Sequence, residues 1–333
     1  MATNPNVCLI IFSRNRPDNL VKLLRSLEHT KFPVFIVDDS PDGNARSVLG
    51  TRGGDIHIFD REIQNVFLDH IMIPASLTPL VKIGRPVWNL GAARNFGLLI
   101  GVSLGFEIII FCDDDIHYNN DWNPFLSKIL ETGCAGAEIV GELDYSVLDH
   151  FAALQGLPMY QGPSGGFLGF QVSYLAHHFM NIYNEDLIWL RLHQSFRSTP
   201  VVGTALQAIE NQGNDKNRLM ELAIWQEYGE VLLQGVSAKS ALENPSLLTS
   251  HKHWKRIIDS ERASVISMAK AEVLTKNQHA ICKRVEKELN AYQPENIALY
   301  WKSYFITNDE WLDYINKTRG QFNSKKVLYE ITG

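Results

Sequence analysis

Apolar and polar residues follow two different patterns along the first third of the chain. Three short runs are apolar almost throughout, as in strands buried on both faces of a sheet: "VCLIIF" (7–12), "FPVFIVDDS" (32–40) and "FEIIIFCDDD" (106–115). The intervening segments "RPDNLVKLLRSLEHT" and "GAARNFGLLIGVSLG" have helical spacing, with Leu20, Leu23, Leu24 and Leu27 on one face of the first. The alternation predicts an α/β fold, a mainly parallel nucleotide-binding sheet flanked by helices.

A different pattern occupies the C-terminal part of the chain. Residues 253–290 read as one long amphipathic helix, followed by two further helical segments, "PENIALYWKSYF" and "NDEWLDYINKT". We therefore predict one unit over residues 1–245, divided into halves 1–118 and 119–245, and a helical C-terminal region over 246–333. These helices are candidates for packing or for homo-oligomer formation.

Composition and charge restrict the class of protein. With 333 residues, 45% of them apolar, the chain can bury a large core, and its net charge of −6 offers no basic field to a nucleic acid or an anionic membrane. Its four cysteines are widely separated, the first residues show no basic leader, and no apolar run is long enough to span a bilayer. We expect a cytoplasmic protein with no transmembrane segment and no nucleic-acid partner.

The most informative polar cluster ends the third predicted strand, at Asp113, Asp114 and Asp115. Their mutual repulsion requires a nearby Lys or Arg, a divalent cation, or water. If the extended backbone continued to Asp115, Asp113 and Asp115 would point the same way and form half of a site for Mn²⁺ or Mg²⁺. The alternative is that the three acids cap a helix or face solvent.

Ligands of parallel sheets collect at the carboxyl ends of the strands, and we expect the polar residues there to converge on one crevice: Ser13 to Arg16, Asp38 and Asp39, and Asp113 to Asp115. In "VDDS", Asp39 either accepts hydrogen bonds from a ribose or base, or Asp39 or Ser40 forms an Asx-type turn. In "NLGAARNFG", Gly91 and Gly97 either leave room for a phosphate or allow close helix packing.

Taken in order, several segments resemble the GT-A fold of family 2-type glycosyltransferases over about residues 7–190. These segments are "IFSRNRPDNLVKLLRSL", "VDDS", "NLGAARNFGLLIG", "FCDDDI", "SGGFLGFQVSY" and "NEDLIWL". The resemblance implies a catalytic domain over 1–245, with a nucleotide-sugar binding half and an acceptor-side half. It also implies a hexosyltransferase-type enzyme that moves a sugar from a nucleotide diphosphate sugar, a UDP-sugar in the first place, to a hydroxyl of a glycan or small molecule.

The resemblance also implies site residues. The donor-binding residues would be Ser13 and Arg14 at the nucleotide, Asp39 at the base, Arg94 at the donor, and Asp113 at the ribose with Asp114 beside it. Asp115 would bind the metal, unless "CDDD" is matched so that Asp114 does. Asp186 would be the general base of an inverting reaction, with Glu185 as the alternative, although acids at a helix start are also favoured by the helix dipole.

Some members of this fold complete the metal shell with a histidine near the end of the catalytic domain. His251 or His253 would fill that role here, and a surface location is the alternative. In such a reaction a cation neutralises the leaving diphosphate, and a carboxylate takes the acceptor's proton.

Three other functions compete with this one. A sugar-nucleotide nucleotidyltransferase would require a glycine-rich loop after the first strand, and "FSRNRPDN" contains no glycine. A dinucleotide oxidoreductase would require a G-x-G-x-x-G turn at the same place, and none is present. A catalytically silent nucleotide- or sugar-binding protein of the same fold stays open.

Overall fold

A computed structural model of the chain describes residues 5–27, 30–43, 45–46, 55–84, 89–141, 146–157, 162–208 and 216–322. The strands are β1 Val7–Ser13, β2 Val34–Asp38, β3 Ile56–Phe59, β4 Ile108–Asp113, β5 Ile116–Tyr118, β6 Cys134–Gly141, β7 Phe167–Gln171 and β8 Val201–Gln207. The helices are α1 Pro17–Ser26, α2 Arg61–His70, α3 Thr78–Val81, α4 Leu90–Ser103, α5 Trp122–Thr132, α6 Val147–Leu154, α7 Glu185–Leu192, α8 Lys216–Ser237, α9 Lys239–Glu243, α10 His251–Met268, α11 Lys276–Ala291 and α12 Pro294–Thr318.

The described strands form one sheet in the order β3-β2-β1-β4-β7-β6-β8-β5. β3, β2, β1 and β4 are mutually parallel, and so are β6 and β8, whereas β7 and β5 run antiparallel to their neighbours. The predicted α/β fold, with a mainly parallel sheet flanked by helices and a helical C-terminal region, is therefore confirmed.

Side chains of β1 alternate between the two faces of the sheet and so divide the core in two. Ile10 and Phe12 belong to one hydrophobic cluster, with helix α4, and Leu9 and Ile11 belong to another, with helix α1. Burial on both faces explains why the strand is apolar at every position up to Ser13.

The glycines of helix α4 allow close packing on the sheet. A Cβ atom at Gly97 would lie 3.1 Å from Ile10 Cγ2, and one at Gly101 would lie 2.7 Å from Ile109 Cγ1. Between the two readings of "NLGAARNFG", these contacts support helix packing at Gly97.

A third hydrophobic cluster lies among the C-terminal helices and includes residues of α8, α10, α11 and α12. The prediction of a single helix over 253–290 is wrong, because α10 ends at Met268 and α11 begins after Thr275, which forms a capping box with Gln278. The two last predicted segments are in fact one helix, α12. No described helix has the length and apolar character of a membrane span.

Helix α12 joins the C-terminal helices to the sheet. Trp301 and Tyr304 pack in the helical cluster, whereas Trp311 and Tyr314 pack in the cluster on the α4 face of the sheet. The Tyr314 hydroxyl also donates a hydrogen bond of 2.7 Å to the Ile71 carbonyl oxygen. The helical region is thus held against the sheet by side chains of one continuous helix.

Candidate active site

The polar residues at the ends of β1, β2 and β4 lie side by side. These strands are adjacent and parallel, and their register pairs Ser13 with Asp38 and Phe12 with Asp113. The predicted convergence of the strand ends on one edge of the sheet is confirmed.

Asp39 follows β2 and is almost completely buried. Its Oδ2 accepts a hydrogen bond from Arg14 Nη1 at 3.2 Å, and its Oδ1 accepts from Arg61 Nε at 3.0 Å and from the Gly84 backbone N–H at 2.5 Å. Burial raises the pKa of Asp39, against the opposing effect of the Gly84 hydrogen bond and the two arginines. Both carboxylate oxygens are therefore engaged within the protein, where they join the ends of β1 and β2 to helix α2.

The turn after β2 is built by Asp38 rather than by Asp39 or Ser40. Asp38 Oδ1 accepts a hydrogen bond from the Ser40 backbone N–H and Oδ2 accepts from the Ala45 N–H, both at 2.9 Å. An Asx-type turn formed by Asp39 or Ser40 was one of two alternatives for this segment, and in the structure the preceding aspartate forms the turn. This leaves the Asp39 side chain to pair with the two arginines.

Strand β4 ends at Asp113, and Asp114 and Asp115 form a turn. Arg16 Nη1 lies 3.4 Å from Asp114 Oδ1 and 3.1 Å from Asp115 Oδ2, and the Ser13 hydroxyl donates to Asp114 Oδ2 at 2.7 Å. The condition under which Asp113 and Asp115 would share one side through strand alternation is not met, because the extended backbone ends at Asp113. Asp114 and Asp115 face one guanidinium, and both oxygens of Asp114 are occupied.

Asp113 pairs with a different cation, the buried Arg94 of helix α4. Arg94 Nη2 lies 3.5 Å from Asp113 Oδ2, and Arg94 Nη1 forms an ion pair with Glu185 and lies 4.0 Å from Asp186 Oδ2. Glu185 and Asp186 begin helix α7, so a single guanidinium connects the end of β4 with the start of α7. Of the sequence-predicted residues, Asp113, Arg94, Glu185 and Asp186 are thus brought together.

The backbone of the loop before β7 approaches the Arg94 guanidinium closely at Gly165. A Cβ atom at Gly165 would lie 2.5 Å from both Arg94 Nη1 and Nη2, which explains the glycine. The Gly165 backbone N–H donates to Asp186 Oδ2 at 2.5 Å, and the Leu187 N–H donates to Asp186 Oδ1 at 2.8 Å. Asp186 is therefore held by two backbone donors, while its side chain keeps 14% of its surface exposed.

Among the described side chains, carboxylates outnumber cations at this edge of the sheet. Burial raises the pKa of Asp113 to about 7, that of Asp114 to about 6 and that of Glu185 to about 8, in each case against the attraction of an arginine. Neighbouring acids add to this rise in pKa, so an additional cation at this position would stabilise the ionised carboxylates.

A divalent cation fits one part of this arrangement. Asp113 Oδ1 is buried and accepts no hydrogen bond from the described residues, and hard carboxylate oxygens are the ligands that Mg²⁺ and Mn²⁺ prefer. Within the described residues, no group of three or more His, Cys, Asp and Glu side chains is arranged to hold a metal ion. A cation here would therefore require ligands beyond the acidic, histidine and cysteine side chains of the described residues, such as phosphate oxygens or water.

The two candidate histidines lie at the start of helix α10. His251 is exposed, and the His253 ring is buried with its Nε2 3.0 Å from the Gly235 carbonyl oxygen. Burial lowers the pKa of His253. Neither forms, with the aspartates of the described chain, a group that could hold a metal ion.

Sequence reasoning placed Arg16 among the polar residues after the first strand and Gly165 in the glycine-rich loop "SGGFLGFQVSY" without giving either a role, and it missed Arg61. Arg16, the second arginine in "RNRPDN", precedes Pro17 at the start of α1. Its charge beside the end of the first strand was the available signal. Arg61 carried no comparable signal, because it belongs to a helix that begins 22 residues after Asp39.

No protein-family model and no curated protein matches the chain. Among solved structures, a mannosyltransferase from Pyrobaculum calidifontis in complex with GDP-Man and Mn²⁺ is similar over 92% of this chain and 88% of its own, with 14% identity and a TM-score of 0.43. The galactosyltransferase LgtC with donor and acceptor sugar analogues matches over 49% of this chain and 57% of its own, with 15% identity and a TM-score of 0.29. Mouse xyloside xylosyltransferase 1 matches over 50% and 67%, with 13% identity and a TM-score of 0.30. Because these TM-scores lie below 0.5, the geometry of the site alone carries the proposal that follows.

Proposed function

We propose that the protein is a glycosyltransferase that moves a sugar from a nucleotide diphosphate sugar to a hydroxyl acceptor with the help of Mn²⁺ or Mg²⁺. The observation that carries this proposal is the convergence of Asp113, Glu185 and Asp186 on the buried Arg94 at the carboxyl edge of the parallel strands. This arrangement supports the proposal that Asp113 binds a cation and Asp186 accepts a proton in one site.

Asp113 and Asp115 are the proposed contacts for the metal and donor. Asp113 Oδ1 is without a hydrogen-bond partner in the described chain. Ser13 and Arg16 engage both oxygens of Asp114, whereas the contacts of Asp115 with Arg16 and Gln207 are both made at Oδ2. This supports Asp115 over Asp114 as the second acidic contact. A bound cation would neutralise the negative charge that develops on the leaving diphosphate.

Asp186 is the proposed general base, in preference to Glu185. Glu185 is buried and directly paired with Arg94, so its carboxylate is committed to the interior. Asp186 is more accessible, and each of its oxygens has a lone pair left after accepting one backbone N–H. Its carboxylate can take the proton of the acceptor hydroxyl, which is general-base catalysis worth about 10² to 10⁴ in rate. An inverting outcome follows if Asp186 faces the side opposite the leaving group.

The nucleotide is proposed to bind near Ser13 and Arg14, at the ends of β1 and β2. Asp39 is fully engaged by Arg14, Arg61 and Gly84, which supports a positioning role for it. The guanidinium groups it holds are the groups that would face a nucleotide. We propose a UDP-sugar as the first donor to test.

The test is a thermal-shift screen with Mn²⁺ or Mg²⁺ and a panel of UDP-, GDP- and dTDP-sugars, followed by a transfer assay with the donor that binds. Asp115→Ala should remove the metal-dependent shift, and Asp186→Ala should keep the shift and lose turnover. Asp309→Ala, at an exposed position of α12, is the matched control and should behave as the wild type.

Three results would contradict the proposal. Absence of a shift with every nucleotide would overturn donor binding and favour a silent protein of the same fold. Retention of full activity by both site variants would show that the assigned roles are wrong. Formation of a sugar nucleotide from a nucleoside triphosphate and a sugar phosphate would instead identify a nucleotidyltransferase.

A further inference from the structure

The turn that leads into the proposed catalytic helix is fastened to the C-terminal helices. Asn184 immediately precedes Glu185 and Asp186, and its side-chain Nδ2 donates a hydrogen bond of 2.8 Å to Glu230 Oε1 on helix α8. Glu230 is far from Asn184 in sequence and belongs to a helix that packs in the C-terminal cluster. The contact therefore connects that cluster with the site.

Asn184 has an unusual conformation for a residue at a helix start. Its backbone is left-handed, with φ 61° and ψ 26°, and its side chain caps no backbone N–H of α7. Asparagine at this position ordinarily caps the first turn of the helix. A left-handed conformation costs a non-glycine residue about 1–2 kcal/mol, and least for Asn and Asp. The Asn184 side chain therefore does not cap helix α7 and donates its hydrogen bond to Glu230 instead.

A second contact between the turn and helix α8 is made by the residues that precede Asn184 and Glu230. A Cβ atom at Gly229 would lie 2.8 Å from the Tyr183 carbonyl carbon, so the backbone of the turn lies directly on helix α8. Adjacent residues of the turn, Tyr183 and Asn184, thus meet adjacent residues of α8, Gly229 and Glu230. The Asn184 carbonyl oxygen then accepts from the Ile188 N–H at 2.9 Å and begins helix α7.

We propose that Glu230 is a positioning residue that holds the turn at Asn184 and thereby sets the position of Asp186. This inference rests on the proposed function, in which Asp186 takes the proton of the acceptor hydroxyl. Asp186 must keep its contacts with the Gly165 and Leu187 N–H groups while facing the acceptor. A displacement of about 1 Å in a catalytic group can reduce the rate about 10²-fold.

The test compares Glu230→Ala with Glu230→Gln in the full-length protein, using the transfer assay. Loss of the acceptor oxygen in Glu230→Ala should lower kcat at least about tenfold, within the range for a misplaced catalytic group, and leave the donor KM within about twofold. Glu230→Gln keeps an oxygen that can accept from Asn184, so it should restore kcat to within about threefold of the wild type.

The environment of Glu230 makes the glutamine variant a fair substitute. Burial and the nearby Asp149 raise the pKa of Glu230 to about 7, so a neutral side chain is already partly populated at neutral pH. The matched control is Glu221→Ala, an exposed glutamate on the same helix, which should leave kcat unchanged.

Asn184→Gly provides a second variant that does not depend on the folding of Glu230→Ala. Glycine accepts the left-handed backbone but removes the hydrogen bond, so kcat should fall as in Glu230→Ala. The double variant Asn184→Gly/Glu230→Ala should lose no more than either single variant, because both remove one interaction.

The outcomes separate this inference from the proposed function. An active wild type with unchanged kcat in Glu230→Ala and Asn184→Gly would overturn the inference alone. A wild type without donor binding or transfer would overturn the proposed function, and the kinetic role of Glu230 with it. A parallel rise of donor KM with unchanged kcat would also overturn the inference, since it would place the effect on donor binding rather than on proton transfer.

Discussion

Replacing Arg94 by glutamine tests the central feature of the site. Arg94 is fully buried and is the cation shared by Asp113, Glu185 and Asp186. Removing one partner of a buried ion pair costs about 3–5 kcal/mol, because an uncompensated charge stays in the interior. We expect Arg94→Gln to lower the free energy of unfolding by at least about 3 kcal/mol at pH 8.

The loss of unfolding free energy in Arg94→Gln should depend on pH. The direction of that dependence follows from the pKa of Glu185. Burial raises the pKa of Glu185 to about 8, and Arg94 opposes that rise. Between its unfolded pKa and about 8, the folded wild type binds a proton that the unfolded chain does not, so stability falls as pH increases. Without Arg94 the pKa of Glu185 rises further, so the contribution of Glu185 to stability goes on falling above pH 8 in the variant but not in the wild type. The gap between the two proteins should widen there by up to about 1.4 kcal/mol per pH unit.

Urea denaturation of both proteins at pH 6, 7, 8 and 9 measures this difference. Arg25→Gln, on the exposed face of α1, is the matched control and should change stability by less than about 0.5 kcal/mol at every pH. A loss below about 1 kcal/mol in Arg94→Gln, equal at all four pH values, would refute the shared ion pair. In Arg94→Gln/Glu185→Gln, where both charges are gone, part of the stability should return.

Two further substitutions test neighbouring features. Gly165→Ala should destabilise the protein by about 1–3 kcal/mol in urea denaturation, because the added methyl group meets the Arg94 guanidinium, while Gly166→Ala should be milder since it does not contact Arg94; equal effects would contradict the close approach. Arg16→Gln should tighten Mn²⁺ binding, measured by calorimetry, because the guanidinium that competes for Asp115 is gone, and weaker binding would show that Arg16 assists the metal site.

The sequence predicted the layout of the site better than its internal contacts. Strand ends could be located because buried parallel strands are continuous apolar runs, and their polar termini must lie at one edge of the sheet. The grouping of Asp113, Arg94 and Glu185 depends on the position of helix α4 on the face of the sheet. In the sequence, only the glycines of α4 indicated that this helix packs closely. Which guanidinium meets which carboxylate is decided by side-chain geometry that no local pattern encodes.

The orientation of the aspartates illustrates this limit. Strand alternation predicts that Asp113 and Asp115 share a side, and that holds only while the backbone stays extended. The chain turns after Asp113, so Asp115 joins Asp114 at Arg16. The point at which a strand ends depends on the neighbouring strand. β5 begins at Ile116 and pairs with β8, so the turn at 114–115 is fixed by long-range pairing.

The question posed by three consecutive aspartates thus has a partial answer in the protein itself. Arg16 and Arg94 supply positive charge to the range 113–115, but Arg94 must also serve Glu185 and Asp186. Among the described residues, five carboxylates therefore share two guanidinium groups. Burial raises the pKa of Asp113, Asp114 and Glu185, and the neighbouring carboxylates add to that rise. A structure stabilised only by these ion pairs would gain from fewer acids, because buried pairs contribute little net stability. The surplus of negative charge at a strand edge is better explained by a ligand that brings positive charge with it, and a metal-bound diphosphate is such a ligand.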